Sequence, residues 1–103
     1  MSTARLEQLR KLAELEPGDA FARYGVALEC IQLEHWAEAV RELEHVLTLD
    51  PQYIAAHMQK ARVELKLGVR EAAAATLRAG IAAARGKGDR HAADEMTKML
   101  EAL

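Results

Sequence analysis

Residues 20–51, AFARYGVALECIQLEHWAEAVRELEHVLTLDP, hold two apolar-periodic segments separated by a short polar gap. The segments are Ala20–Leu33 and Ala37–Leu49, and the gap is Glu34–His35. Apolar side chains recurring every three to four residues mark helices, and so short a gap folds one helix back against the other. Small residues at Ala27 and Ala39 suit a close approach. The unit closes on Leu49-Asp50-Pro51, and Leu15-Glu16-Pro17 is the same kind of break earlier in the chain. Proline cannot continue a helix, so each of these tripeptides ends one. Their separation, about 34 residues, is the mark of a stacked array of helix pairs.

The flanking sequence extends the array. A first helix is expected from about Thr3 to Glu16, with Ser2 or Thr3 as its N-cap and Leu6, Leu9, Leu12, Ala13 and Leu15 on one apolar face. Pro17-Gly18 ends it, and Asp19 can cap the second helix, Ala20–Leu33. That helix is apolar on more than one side, so it is expected to be in contact on more than one side. The third, about Trp36–Leu49, has a cleaner stripe through Ala39, Val40, Leu43, Val46 and Leu47, with a Glu38–Arg41 pair expected on its polar side. The fourth is placed at about Tyr53–Leu67, stopped by Gly68 in a left-handed conformation. The fifth spans about Arg70–Ala84. Its Gly80 costs about 1 kcal/mol of helix propensity against alanine, which makes sense where another helix comes close. Arg85–Asp89 reads as a turn, with Asp89 as a cap. The last helix, Arg90–Leu103, has one apolar and one polar side, as a terminal capping helix requires.

The predicted architecture is therefore an all-α solenoid of antiparallel helix pairs in a right-handed stack, forming one domain over residues 1–103. It comprises an N-terminal helix at 3–16, repeats at 20–51 and 54–84, and a capping helix at 89–103. Bulk properties agree. Half of the residues are hydrophobic, alanine and leucine dominate, and only two prolines occur. Residues 1–51 carry 5 basic and 10 acidic side chains, a net of −5. Residues 52–103 carry 9 basic and 6 acidic, a net of +3. This polarity favours an acidic partner for the second half but falls far short of a nucleic-acid footprint. A single cysteine, Cys30, excludes an internal disulfide and fits a reducing compartment. No apolar run is long enough to span a bilayer and the N-terminus lacks a signal-type core, so no membrane span and a cytoplasmic setting are expected.

The repeating frame resembles the tetratricopeptide repeat family, including its small bacterial members. With Ala20 as the first position, Leu33, Trp36, Ala39, Leu43, Val46 and Leu49-Asp50-Pro51 match the family pattern, and Ala27 takes its small position. Arg23 and Cys30 stand where Trp and Tyr are usual. A second repeat begins at Ile54, with His57, Ala61, Leu67-Gly68, Ala73, Leu77 and Gly80 in register. Lys60 and Glu64 depart from the family's Leu and Tyr, and Arg85 replaces the closing proline. The first helix aligns with the second helix of a repeat. The resemblance implies a concave groove, lined by first helices, that holds a peptide or partner helix. Carried over by register, the groove comprises Phe21, Tyr24, Gly25, Leu28, Ile31 and Gln32, then Ala55, Met58, Gln59, Arg62, Leu65 and Lys66. Chaperone-binding members place Lys and Asn where this chain has Tyr24 and Leu28, so a carboxylate clamp is not expected.

No catalytic or metal motif is present, and no cofactor is expected. Gly86–Asp89 (GKGD) lacks the strand and spacing of a phosphate loop. His35, His45, His57 and His91 lie on different elements without metal spacing and read as surface or boundary residues, with His57 an interface candidate. Cys30 reads as a packing residue. Leu28 and Ile31 are divided between packing and groove, whereas Phe21 and Tyr24 are the sharper contacts for a partner. Arg62 and Lys66, one turn apart, suit an acidic segment. Two functions follow from these features: a protein-binding adaptor holding an acidic-apolar peptide or helix, or a self-associating protein whose groove or ends are buried in a homo-oligomer.

Overall fold

A computed structural model describes residues 3–103 as six consecutive helices. They are α1 (Ala4–Leu15), α2 (Ala20–Gln32), α3 (Trp36–Leu49), α4 (Ile54–Lys66), α5 (Arg70–Gly86) and α6 (Arg90–Glu101). Each helix packs mainly on its neighbours in sequence, as short joints require. The core follows suit in three overlapping clusters. Leu6, Val26, Cys30, Ala39 and Val63 join α1 to α4. Ala27, Leu43, Val46 and Ala56 join α2 to α4. Ala61, Leu77, Ala84, Ala93 and Met96 join α4 to α6. No single centre organises the chain; each helix is held by its neighbours, as in a one-dimensional array.

Two kinds of joint alternate, and each has a local cause. After α2, Glu34 N–H bonds Ile31 O and His35 N–H bonds Cys30 O, with Glu34 at φ 59°. After α4, Gly68 N–H bonds Leu65 O and Val69 N–H bonds Glu64 O, with Gly68 at φ 77°. Both are left-handed closures that satisfy the last helical carbonyls. After α1 and α3, by contrast, the chain breaks at proline. Asp19 and Asp50 then organise the exits: Asp19 Oδ1 accepts from Phe21 N–H and Ala22 N–H, and Asp50 Oδ1 accepts from Gln52 N–H. Lacking a proline after its repeat, α5 runs past Ala84 to Gly86 and closes at Gly88. Asp89 caps α6 through Ala92 N–H at 3.0 Å.

Gly80 is the close-approach point expected of it. A Cβ there would lie 2.6 Å from Met96 Sδ and 2.8 Å from His57 Cβ, so α4, α5 and α6 meet at that position. His57 is the interface residue expected of it, and three other sequence expectations are corrected. The apolar face of α1 is not uniformly buried: Leu6 and Ala13 are, but Leu12 is 58% and Leu15 77% exposed, because among the described residues no helix lies on that side. Thr3 makes no side-chain capping bond, and Ser2 falls outside the described residues. Glu38 pairs with Arg10 and lies near His35 rather than with Arg41, because α1 brings a guanidinium within reach. His57 is buried, and its Nε2–H donates to Pro51 O at 2.8 Å, tying α4 to the preceding turn.

Candidate functional site

A cleft of about 690 Å³ opens between α1 and α2 with its far edge on α4. Leu9 of α1 and Gly25, Leu28 and Ile31 of α2 give it apolar walls. Gly25 has no Cβ, and one added there would meet Leu9 Cδ2 at an ordinary 3.8 Å, so the bare backbone widens the cleft. Across one edge, Arg5 Nε lies 3.3 Å from Glu29 Oε1, and Gln32 and Gln59 supply uncharged polar groups. The arrangement is mixed, with apolar walls bordered by the Arg5–Glu29 pair and two amides. It suits the side of a helix or an extended chain better than a small charged molecule.

The expected groove residues do not all come together. Leu28, Ile31, Gln32 and Gln59 come together in the cleft, with Leu28 39% exposed and Ile31 half-buried against the core. Phe21 is 74% exposed near the start of α2. Tyr24 is not an open contact. It is half-buried against Tyr53, with ring centroids 5.0 Å apart, and its hydroxyl is hydrogen-bonded by the Gln59 side chain. Burial raises its pKa above the ordinary tyrosine value, against the opposing effects of Gln59 and Arg62. On α4, Met58 packs against the α4–α6 core and Leu65 is half-buried. Arg62 is exposed, while Lys66 Nζ lies 5.7 Å from the Trp36 ring centroid and is engaged in a cation–π contact. Arg62 and Lys66 therefore do not form one free basic pair.

Arg5, Leu9 and Glu29 were not among the expected site residues. Their signal was the alignment of α1 with the second helix of a repeat, since a second helix has an inner side where its own first helix would lie. The departures at Lys60 and Glu64 have a structural use instead. Lys60 Nζ donates to Thr76 Oγ1 at 3.1 Å and pairs with Glu64 Oε2 at 3.2 Å, and Thr76 donates to Glu64 Oε1 at 2.6 Å. The triad fastens α4 to α5. Cys30 is fully buried, and that burial raises its thiol pKa. Among the described residues no group of three or more His, Cys, Asp or Glu side chains could hold a metal, and no helix is long and apolar enough to cross a membrane.

Paired helices, left-handed joints recurring one repeat apart and an apolar cleft on one side define a helical-repeat interaction fold. The chain belongs to the tetratricopeptide repeat family, whose profile matches residues 31–94. It is similar to the TPR2B domain of yeast Sti1, solved as a complex with pHsp70, at 19% identity and a TM-score of 0.86, covering 93% of this chain and 77% of that one. It is similar to PcrH, solved with the chaperone binding region of PopD, at 20% identity and a TM-score of 0.88, covering 94% and 74%. A tetratricopeptide repeat domain protein of Salinibacter ruber aligns at 25% identity with a TM-score of 0.77, covering 82% and 86%. No curated protein matches the chain.

Proposed function

We propose that this protein is an adaptor that holds the apolar side of a partner helix or peptide in the α1–α2 cleft. The observation that carries the reading is the 690 Å³ opening with Leu9, Gly25, Leu28 and Ile31 on its walls. Phe21 of α2 and Leu12 of α1 are further exposed apolar side chains on the same two helices. Family membership supports a protein-binding role, and two similar folds were solved with protein segments bound. Arg62, exposed and without an ion pair among the described residues, favours an acidic residue at the α4 end of the ligand. A cytoplasmic setting belongs to the same proposal.

The test is a selection of helical peptides against the folded chain, followed by mapping of the bound site by NMR chemical shifts. Amide shifts are expected to cluster at Leu9, Gly25, Leu28 and Gln59, with dissociation constants of about 1–100 µM. Leu28→Glu should weaken binding at least about tenfold, the effect of about 1.4 kcal/mol. Equal binding by this variant, or shifts confined to α3 and α5, would sink the proposal.

A further inference from the structure

We propose that the exposed face of α5 joins two copies of the chain in a two-fold dimer, with the two α5 helices antiparallel across Ala75, Ala79 and Ala82. The proposal does not rest on the α1–α2 cleft. Ala72, Ala75, Ala79 and Ala82 are all exposed, on the side of α5 opposite its buried Leu77 and Ala84. They follow one another at alternating spacings of three and four residues. That is the seven-residue period of a seam between two helices. The frame supplies a comparison within the chain. One repeat earlier, at the same four positions, α3 has Glu38, Arg41, His45 and Thr48. Of these the last three are exposed, and Glu38 is engaged by Arg10. The outward face of a second helix is thus polar in α3 and reduced to methyl groups in α5. With no long side chain in the way, another helix axis can approach to about 8 Å. A hollow of about 470 Å³ opens along the same side of α5, walled by Ala72, Ala75 and Ala79 and, across it, by Leu47 of α3.

The charges beside the seam specify what lies on it and in which direction. Glu71, Arg78 and Arg85 recur at seven-residue intervals along one edge of the alanines. All three are exposed and have no ion pair among the described residues. No opposite charge stands three or four residues from Glu71 or Arg78, so α5 itself offers them no partner. Now let a second α5 run antiparallel, with Arg78 of the two copies level. Glu71 of each copy then lies level with Arg85 of the other, and two Glu–Arg pairs form by symmetry. A parallel pair would instead set Glu71 beside Glu71 and Arg85 beside Arg85. Arg78 against Arg78 on the axis is the one like-charge contact of the antiparallel pair. The contact is self-complementary, so assembly stops at two copies. Alanine methyl groups bury little area, which makes the dimer concentration-dependent.

Sedimentation of the full chain should show a mass rising from that of one copy, 11.4 kDa, to twice that value and no further between about 10 µM and about 1 mM. Glu71→Arg and Arg85→Glu, both at exposed positions, should each weaken association at least about tenfold with helical circular dichroism unchanged. An equimolar mixture of these two variants should recover the two-copy species, because unlike charges then meet at both pairs. The single chain carrying both changes should associate like wild type, which separates a lost contact from a lost fold. Leu28→Glu, in the cleft, should also associate like wild type. A wild type that stays one copy at about 1 mM overturns the proposal, and so does a mass that climbs beyond two copies. So does association of Glu71→Arg like wild type, or failure of the mixture and of the double variant to recover it. Association abolished by Leu28→Glu would place the contact in the cleft and overturn it too.

Discussion

Glu34 and Gly68 occupy the same left-handed position in successive repeats, at the exits of α2 and α4, with φ of 59° and 77°. The backbone repeats more faithfully than the side chains do. A non-glycine residue there is strained by its Cβ. Glu34→Gly should therefore raise stability by about 1 kcal/mol, whereas Gly68→Ala should lower it by a similar amount. Urea midpoints of the two variants check the opposite signs.

At Gly80 the ordinary rule for helices should fail. Alanine favours a helix over glycine by about 1 kcal/mol. Here its methyl group would meet Met96 Sδ and His57 Cβ, and only the methionine end can move away freely. Gly80→Ala should destabilise by about 1–3 kcal/mol net, read from denaturant unfolding. A gain in stability would mean that α4 and α5 separate more easily than this contact implies.

The Lys60–Glu64–Thr76 triad can be dissected. Thr76→Val removes a buried donor from Glu64 and should cost about 1–3 kcal/mol. Lys60→Leu should also destabilise, because it leaves the buried Glu64 carboxylate without its cation. The double variant Lys60→Leu, Glu64→Leu should be less harmful than Lys60→Leu alone, since it removes the stranded charge. A double-mutant cycle in urea measures the difference.

Alkaline pH should destabilise the fold in two overlapping steps. Burial raises the pKa of Cys30 above 9.0 and those of Tyr24 and Tyr53 above 10.0. Well below pH 9.0 these groups are protonated in both states and stability does not change on their account. As pH rises further, the unfolded chain ionises first and stability falls through the raised values. Cys30→Ala should delay the onset by about one pH unit, seen in urea midpoints between pH 7 and 11. In native protein at pH 8 the Cys30 thiol should react with a thiol reagent only after unfolding.

The helices, their order, the repeat family and most of the joints could be read from the chain, because each has a local cause. Proline breaks, the aspartate caps at Asp19 and Asp89, and the helical periodicity act within a few residues. Even Gly80 announced a close neighbour through its cost to the helix. The site was legible only in part. Leu28, Ile31, Gln32 and Gln59 fell in the cleft as the register placed them, but Tyr24 turned inward onto Tyr53 and Lys66 onto Trp36. Those outcomes depend on which ring or amide lies across the joint, at separations the periodicity does not encode.

The sequence by itself determined the array: its period, its helix pairs and the alignment of α1 with the second helix of a repeat. Tertiary structure alone decided where apolar surface stays open. A leucine on an apolar stripe is buried only if another helix covers it. Leu6 is covered by α2, whereas Leu12 and Leu15 on the same helix face a side where no helix lies among the described residues. Local patterning cannot distinguish them, because it fixes the direction of a side chain but not what lies opposite.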